Sequence, residues 1–529
     1  MFVIRMQGAT RCFDYGSNSD GLRASIKREK QVNFDQLDQE IANWIESYRD
    51  VCVHLSDRLW DLAETAYAEY ESAELQIREL ERHGFRITRD VAGIPTAFVA
   101  EAGDGGPVIG FLGEYDALPH LSQVANSASR QPAVDAGSGH GCGHNLLGGA
   151  TLMSAFAIKD WLHASGLPGR VRYYGCPAEE GGAGKTFMTR AGAFADLDTA
   201  LTWHPASVLA IDAMTTLATL HARFTFNGIA AHAAAAPHLG RSALDAVTLM
   251  NVAANYLREH MPSDARLHYA LHDTGGTAPN VVQARAEVVY QLRAPELSTI
   301  HSLLERLRKI ADGAAMMTDT TVVCRVEKAM SNMKPNKVLS RVMYERMLAI
   351  GPTPFDTLDH DFAARMHAAI SPAEAKASLS IFGAHRLTGV LHDGVLPAES
   401  MPSLLPASTD VGDVSWVVPT ARCLGACFAL GTPFHSWQLV AQGKSSIAHK
   451  GMLHIAKVMA ATAAALYASP SLLEQAKAEL REQAAEEAYV CPIPDDVLPP
   501  VAREGRTQRG SARGAFPIQY AGVDAGVDA

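Results

Sequence analysis

The sequence is poor in aromatic residues, 7% of 529, and has no dense run of lysine and arginine. Its formal charge is −11, from 46 basic and 57 acidic residues, which argues against general affinity for nucleic acid or anionic lipid and leaves room only for a local basic pocket. No stretch of about 18 uninterrupted apolar residues occurs, so no membrane partner is expected. The start, Met1-Phe2-Val3-Ile4-Arg5-Met6, turns polar before a signal-peptide core can form, and the chain reads as cytoplasmic. The 8 cysteines are scattered and form no secreted disulfide framework, so most are read as reduced. What is present, 47% hydrophobic and 19% charged residues, is the composition of a soluble globular protein long enough for at least two cores.

Along the chain, residues 1–33 form a polar leader without a clear period, expected to be poorly ordered. Helical spacing of Leu37, Ile41, Trp44, Ile45 and Tyr48 opens a first domain over 34–216. Strand-like runs at 96–100, 108–112, 171–174 and 200–203 alternate with helical patterns at 146–162 and 185–191, predicting an α/β sandwich with a largely parallel sheet. Over 217–328 the order becomes strand, helix, strand, strand, helix, strand, the ferredoxin-like β-α-β-β-α-β pattern of an inserted domain. Its second helix shows one apolar face, Leu297, Ile300, Leu303, Leu304, Leu307 and Ile310. The first domain resumes over 329–502, with strands expected at 410–419 and 423–429 and helices at 449–467 and 471–489. Within it, 351–405 reads as a long cover with weak periodicity, carrying His360, His367, His385 and His392. Residues 503–529 have too little apolar content to pack and are expected to be disordered.

The chemistry concentrates in a few segments. In Gly139-His140-Gly141-Cys142-Gly143-His144-Asn145, a thiol and an imidazole separated by one glycine can turn toward one ion, although a glycine-rich turn around a buried cysteine is the plainer reading. Tyr174-Gly175-Cys176-Pro177-Ala178-Glu179-Glu180-Gly181-Gly182 places adjacent carboxylates at the end of an apolar strand. Buried together they repel and need a cation, whereas on the surface they are an acidic turn. Thr202-Trp203-His204-Pro205 and Gly431-Thr432-Pro433-Phe434-His435-Ser436 add two histidines, each more often structural when taken alone. All six groups follow predicted strands, where parallel α/β sheets place ligands, and that shared location points to a metal site. Three patterns carry nothing: Gly184-Lys185-Thr186 lacks the first glycine of a phosphate loop, Cys423 and Cys427 sit in an apolar run, and Ser331 to Lys334 is a chance Ser-x-x-Lys.

Seven motifs in order carry a resemblance over about residues 34 to 500: Phe111-Leu112-Gly113-Glu114-Tyr115-Asp116-Ala117-Leu118-Pro119, the 140–145 loop, Pro177-Ala178-Glu179-Glu180-Gly181, Thr202 to Pro205, Ala231-His232-Ala233-Ala234-Ala235-Ala236-Pro237-His238, Ala278-Pro279-Asn280-Val281-Val282, and Gly431 to Trp437. The chain resembles the aminoacylase and carboxypeptidase-G-type metallopeptidases, in their amidohydrolase branch. The resemblance implies a phosphorylase/hydrolase-like α/β/α sandwich with an inserted dimerisation and lid domain. It implies a pair of divalent ions, manganese or zinc, held by Cys142, His144, Glu180, His204 and His435, with Glu179 as general base and Asp116 orienting a ligand. Glu114 departs from the histidine of the carboxypeptidase branch, and Cys142 is the ligand that replaces it. His232 would reach the partner subunit's site to hold the oxyanion, Asn280 would contact substrate, and Arg293 would take its carboxylate. The implied substrate is an N-acyl amino acid, foremost an acyl-glutamate of the aminobenzoyl-glutamate kind, with β-alanyl or other unusual dipeptides as the alternative. The implied assembly is a homodimer or a heterodimer with a related chain, and an accessory chain needing a second polypeptide is a further reading. A cysteine hydrolase built on Cys142 and His144 competes, but it leaves Glu179, Glu180, His204 and His435 without a role.

Overall fold

The computed structural model describes residues 33–501. The expected leader, apart from Asn33, and the expected tail lie outside them. The catalytic sheet is built from β1 (Arg86–Thr88), β2 (Phe98–Asp104), β3 (Val108–Glu114), β4 (Gly169–Cys176), β5 (Thr199–Ala206) and β6 (Ala210–Asp212). A two-residue β7 (Thr215–Thr216) leads into β8 (Ala218–Asn227), β9 (Arg266–Asp273), β10 (Arg285–Ala294) and β11 (Thr321–Met330) of the inserted domain. The chain then returns through β12 (Leu404–Leu405), which pairs with β7, to β13 (Thr420–Ala426).

The seven-stranded sheet has the order β1-β2-β4-β3-β5-β13-β6. Its four central strands, β4, β3, β5 and β13, are parallel, while the outer pairings are antiparallel. The expectation of parallel strands therefore holds at the centre, and the short edge strands β1 and β6 have no counterpart in the sequence pattern. Every residue of β3 is buried, as in a strand with both sheet faces covered. One face packs against helices His144–Ser165 and Ser446–Ala468, and the other against Gly184–Arg190 and Val411–Val417. Helix Ser446–Ala468 is long and apolar enough to cross a membrane, but 89% of its apolar window is buried, as befits a core helix of this sandwich.

The inserted sheet has the order β11-β8-β10-β9, antiparallel throughout, with helices Ala243–Leu257 and Leu297–Thr318 between its strands: the ferredoxin-like arrangement read from the sequence. On β8, Leu220, Ala222, Phe224 and Phe226 are buried in the core shared with these helices, while His221, Arg223 and Thr225 alternate onto the other face. Ile300, Leu303, Leu304 and Leu307 are buried as their spacing predicts.

Two expectations fail. Residues 410–419 form helix Val411–Val417 rather than a strand, because Asp410 and Asp413 bind backbone and side-chain donors from neighbouring segments and leave β13 to begin at Thr420. The 351–405 cover contains helices Thr357–Ala368 and Pro372–Ser380. Both start with a capping box, Asp356 with Asp359 and Ser371 with Glu374.

Candidate metal and active site

The candidate site residues gather past the C-terminal ends of the parallel strands. Glu114 ends β3 and Asp116 follows it, Glu179 and Glu180 follow β4, His204 lies near the end of β5, and His435 is in the loop after β13. Cys142 and His144 flank Gly143, whose φ of +76° starts helix His144–Ser165, and a Cβ there would meet Pro205 at 3.0 Å. Glycine is thus needed for the turn that presents both neighbours.

Two clusters share Cys142. The ligand atoms of Cys142, His144 and His204 lie within 4.8 Å of one another, as do those of Cys142, Glu180 and His435; Glu114, His144 and Glu179 form a third such group. Sγ of Cys142 is 3.3 Å from Nε2 of His204, and Nε2 of His435 is 3.3 Å from Glu180. Nδ1 of His144 faces only oxygens, the Asp116 carboxylate at 3.0 Å and its carbonyl at 3.1 Å, so Nδ1 carries the proton. Nδ1 of His204 is likewise 2.8 Å from the Pro205 carbonyl. Both rings therefore turn the Nε2 lone pair inward, the tautomer fixed around a metal ion. Nε2 of His144 has no hydrogen-bond partner although a Glu114 carboxylate oxygen lies 3.3 Å away, and one buried carboxylate oxygen of Glu180 is also unpartnered, a costly arrangement that a cation between these groups relieves.

Without a cation in the pocket, a second proton on His144 takes the place that an ion would fill beside its Nε2. Burial opposes a charge on His144, yet Asp116, Cys142 and Glu114 hold its pKa well above the ordinary imidazole value, a sign of an anionic pocket. Burial and the charge of His144 push His204 down to about 4, keeping it a neutral donor ring. For Glu180 burial is outweighed by His435 and His144, which hold it at about 2. Glu179 goes the other way: burial, reinforced by Glu114, Asp410 and Glu180, raises it well above the carboxylate range. Adjacent carboxyls with opposite proton affinities suit one ligand and one proton carrier. Burial and Glu180 push the Cys142 thiol up, so a thiolate at this position needs a cation beside it.

The other expected site residues are elsewhere. His232 and Asn280 meet on the inserted domain, where Ala233 N–H donates to the Asn280 carbonyl at 3.0 Å. Among the described residues neither side chain bonds to the metal-facing cluster. Nδ1 of His232 accepts from the N–H groups of Ala234 at 3.2 Å and Ala235 at 3.1 Å, which leaves its proton on Nε2. Arg293 has no carboxylate partner among the described residues; with the Gln291 amide oxygen turned toward it, Nη2 and Nε donate at 2.9 and 3.1 Å.

Several groups that shape the site stand outside the motifs read from the sequence. Lys185, fully buried, lies 2.8 Å from Glu114 and 2.6 Å from Asp410. Glu69 accepts from Ala178 N–H at 2.9 Å and Tyr67 donates to the Gly182 carbonyl at 2.6 Å, while Asp116 accepts from Glu180 N–H at 2.8 Å. Together they hold the Glu179 loop, in which Ala178 takes φ of +60°. Lys185 lies in plain view in Gly184-Lys185-Thr186, and Asp410 and Asp413 within an apolar run signal buried charges that need partners.

The peptidase dimerisation domain of the M20 family matches residues 217–316, most of the inserted domain. The chain is 48% identical over 467 residues to one of the subunits of p-aminobenzoyl-glutamate hydrolase from Escherichia coli K12, covering 86% of this chain and 97% of that one. It is 30% identical over 448 residues to Xaa-Arg dipeptidase of Mus musculus, covering 82% of this chain and 89% of that one. A Bacillus subtilis structure, described as a dinuclear metal-binding peptidase of the M20 family, shares the fold at a TM-score of 0.50 and 16% identity, over 78% of this chain and 98% of that one. With nearly half its residues shared with one such hydrolase along almost the whole of that chain, the protein belongs to the M20 family of metallopeptidases and amidohydrolases.

Proposed function

We propose that the chain hydrolyses the amide bond of an N-acyl amino acid, with acyl-glutamates of the p-aminobenzoyl-glutamate kind first among its substrates. The observation that carries this reading is the convergence of Cys142, Glu180, His435 and the inward Nε2 atoms of His144 and His204, with the Glu179 carboxyl, whose proton affinity is raised by burial and its acidic neighbours, beside them. Cys142, His144 and His204 would hold one divalent ion, and Cys142, Glu180 and His435 a second, the thiolate favouring zinc and the resemblance allowing manganese. Bound there, such ions polarise a carbonyl and lower the pKa of water to about 7. The chain's own groups do the rest. Glu179 takes the proton of the attacking water on its carboxylate and returns it to the leaving nitrogen. Asp116 fixes His144 through Nδ1, and the Nε2–H of His232, acting across a dimer, donates to the oxyanion. Arg293 takes the substrate carboxylate through its fork, and Asn280 contacts the substrate beside it.

The Escherichia coli relative is named as one subunit of its hydrolase, which supports action with a related second polypeptide, and the separation of His232 and Asn280 from the cluster supports a site completed by another chain. Seven free cysteines among the described residues fit a reducing cytoplasm. The mouse relative supports a second reading, a dipeptidase. Chromatography of an amide panel, with metal analysis on the same sample, separates these readings. Cleavage of acyl-glutamates ahead of dipeptides is expected, and no cleavage by the purified chain, with activity restored by a second polypeptide, would make it an accessory chain.

A further inference from the structure

The open face of the inserted sheet carries charges of two kinds. Arg223 is matched by Glu327 at 2.5 Å and Glu287 at 3.1 Å, and Arg285 by Asp273 at 3.0 Å and Glu287 at 2.5 Å. Arg293 and Lys328 on the same sheet have no carboxylate within ion-pair distance among the described residues. They are not at the solvent edge: both are partly buried, and burial holds both below their usual basicity. Lys328 is opposite His221 on β8, which is opposite Gln291 on β10, and Arg293 lies two residues further on, so all four side chains share one face. His221 Nε2 donates to the Gln291 amide oxygen at 3.0 Å, the same oxygen that receives Arg293. Lys328 donates to the carbonyl of Gly181, the residue after Glu180, which fixes this patch against the catalytic loop.

Unpaired cations that have lost part of their hydration are costly unless an anion arrives. Two strand spacings across and two residues along put their Cα atoms about 12 Å apart, near enough for one small dianion to touch both side chains. We infer that Lys328 and Arg293 form a two-cation seat for a substrate whose amino-acid part has two carboxylates, with Lys328 taking the side-chain carboxylate. This rests on the amidohydrolase reading and narrows it to acyl derivatives of acidic amino acids; Lys328 is then the residue that sets specificity.

The test is calorimetric titration of the full chain, depleted of metal so that nothing is turned over, with N-acetyl-glutamate and N-acetyl-glutamine, for the native protein, Lys328→Met and Lys328→Arg. The native protein should prefer the dianion by about tenfold to a hundredfold, the worth of a charge-assisted hydrogen bond. Lys328→Met should erase that preference and Lys328→Arg should keep most of it. Equal affinity for the two ligands, no measurable binding of the dianion, or equal losses for both ligands in Lys328→Met would overturn the seat. Amide turnover by the metal-loaded protein is scored separately. A chain that discriminates but cleaves nothing keeps the seat and loses the hydrolase reading, while one that cleaves without discriminating does the reverse.

Discussion

The two halves of the chemistry are built differently. In the catalytic domain, Cys142, His144, Glu180 and Glu179 are held by buried neighbours, and nearly every orienting bond is internal: Asp116 on His144, Glu69 and Tyr67 on the loop, Lys185 on Glu114. In the inserted domain, His232 and Asn280 sit on a surface loop pair without contact to that cluster, and Arg293 waits on a neutral amide. On the proposed reading, the ligand set is preorganised by a single chain, whereas the contacts proposed for His232 and Asn280 need domain closure or a second chain.

Substitutions on each side sharpen this contrast. The largest effect belongs to Glu179→Ala, which should lower kcat by about a hundredfold to ten-thousandfold with metal content nearly unchanged; unaltered turnover in a steady-state assay would remove Glu179 as the base. His232→Ala should cost about a hundredfold to a thousandfold in kcat with normal metal content and thermal stability. Mixing Glu179→Ala chains with His232→Ala chains should recover part of the activity, because one hybrid site then holds both intact residues. No recovery after the chains exchange would place His232 in its own chain's site. A smaller effect, on stability rather than rate, is expected from Lys185→Met. Removing one member of a buried charge network leaves Glu114 and Asp410 facing each other and should destabilise the fold by about 3–5 kcal/mol in chemical denaturation. A midpoint equal to that of the native protein would mean that water or a proton replaces the ammonium.

Much of the preorganised half was legible in the sequence. Cysteine, histidine and paired glutamates after apolar strands carry their own signal, and the β-α-β-β-α-β order follows from period and length. The supports were hidden, because Glu69, Asp410 and Lys328 gain meaning only from partners tens to hundreds of residues away. Residues 411–417 misled because Val411, Val414, Trp416 and Val417 read equally well as a buried strand or as a short buried helix, and only the aspartates' partners decide. The two helices of the cover lack an apolar stripe, yet their capping boxes stood in the sequence as Asp356-x-x-Asp359 and Ser371-x-x-Glu374.

The central claim is that Cys142 belongs to both metal-holding groups, and metal stoichiometry tests it most directly. Native protein and Cys142→Ala are to be reconstituted with zinc or manganese, dialysed, and assayed for metal by plasma mass spectrometry together with circular dichroism. The account predicts about two ions per native chain and a large loss of both in the folded variant, since both groups share that sulfur. Full occupancy in folded Cys142→Ala would contradict it.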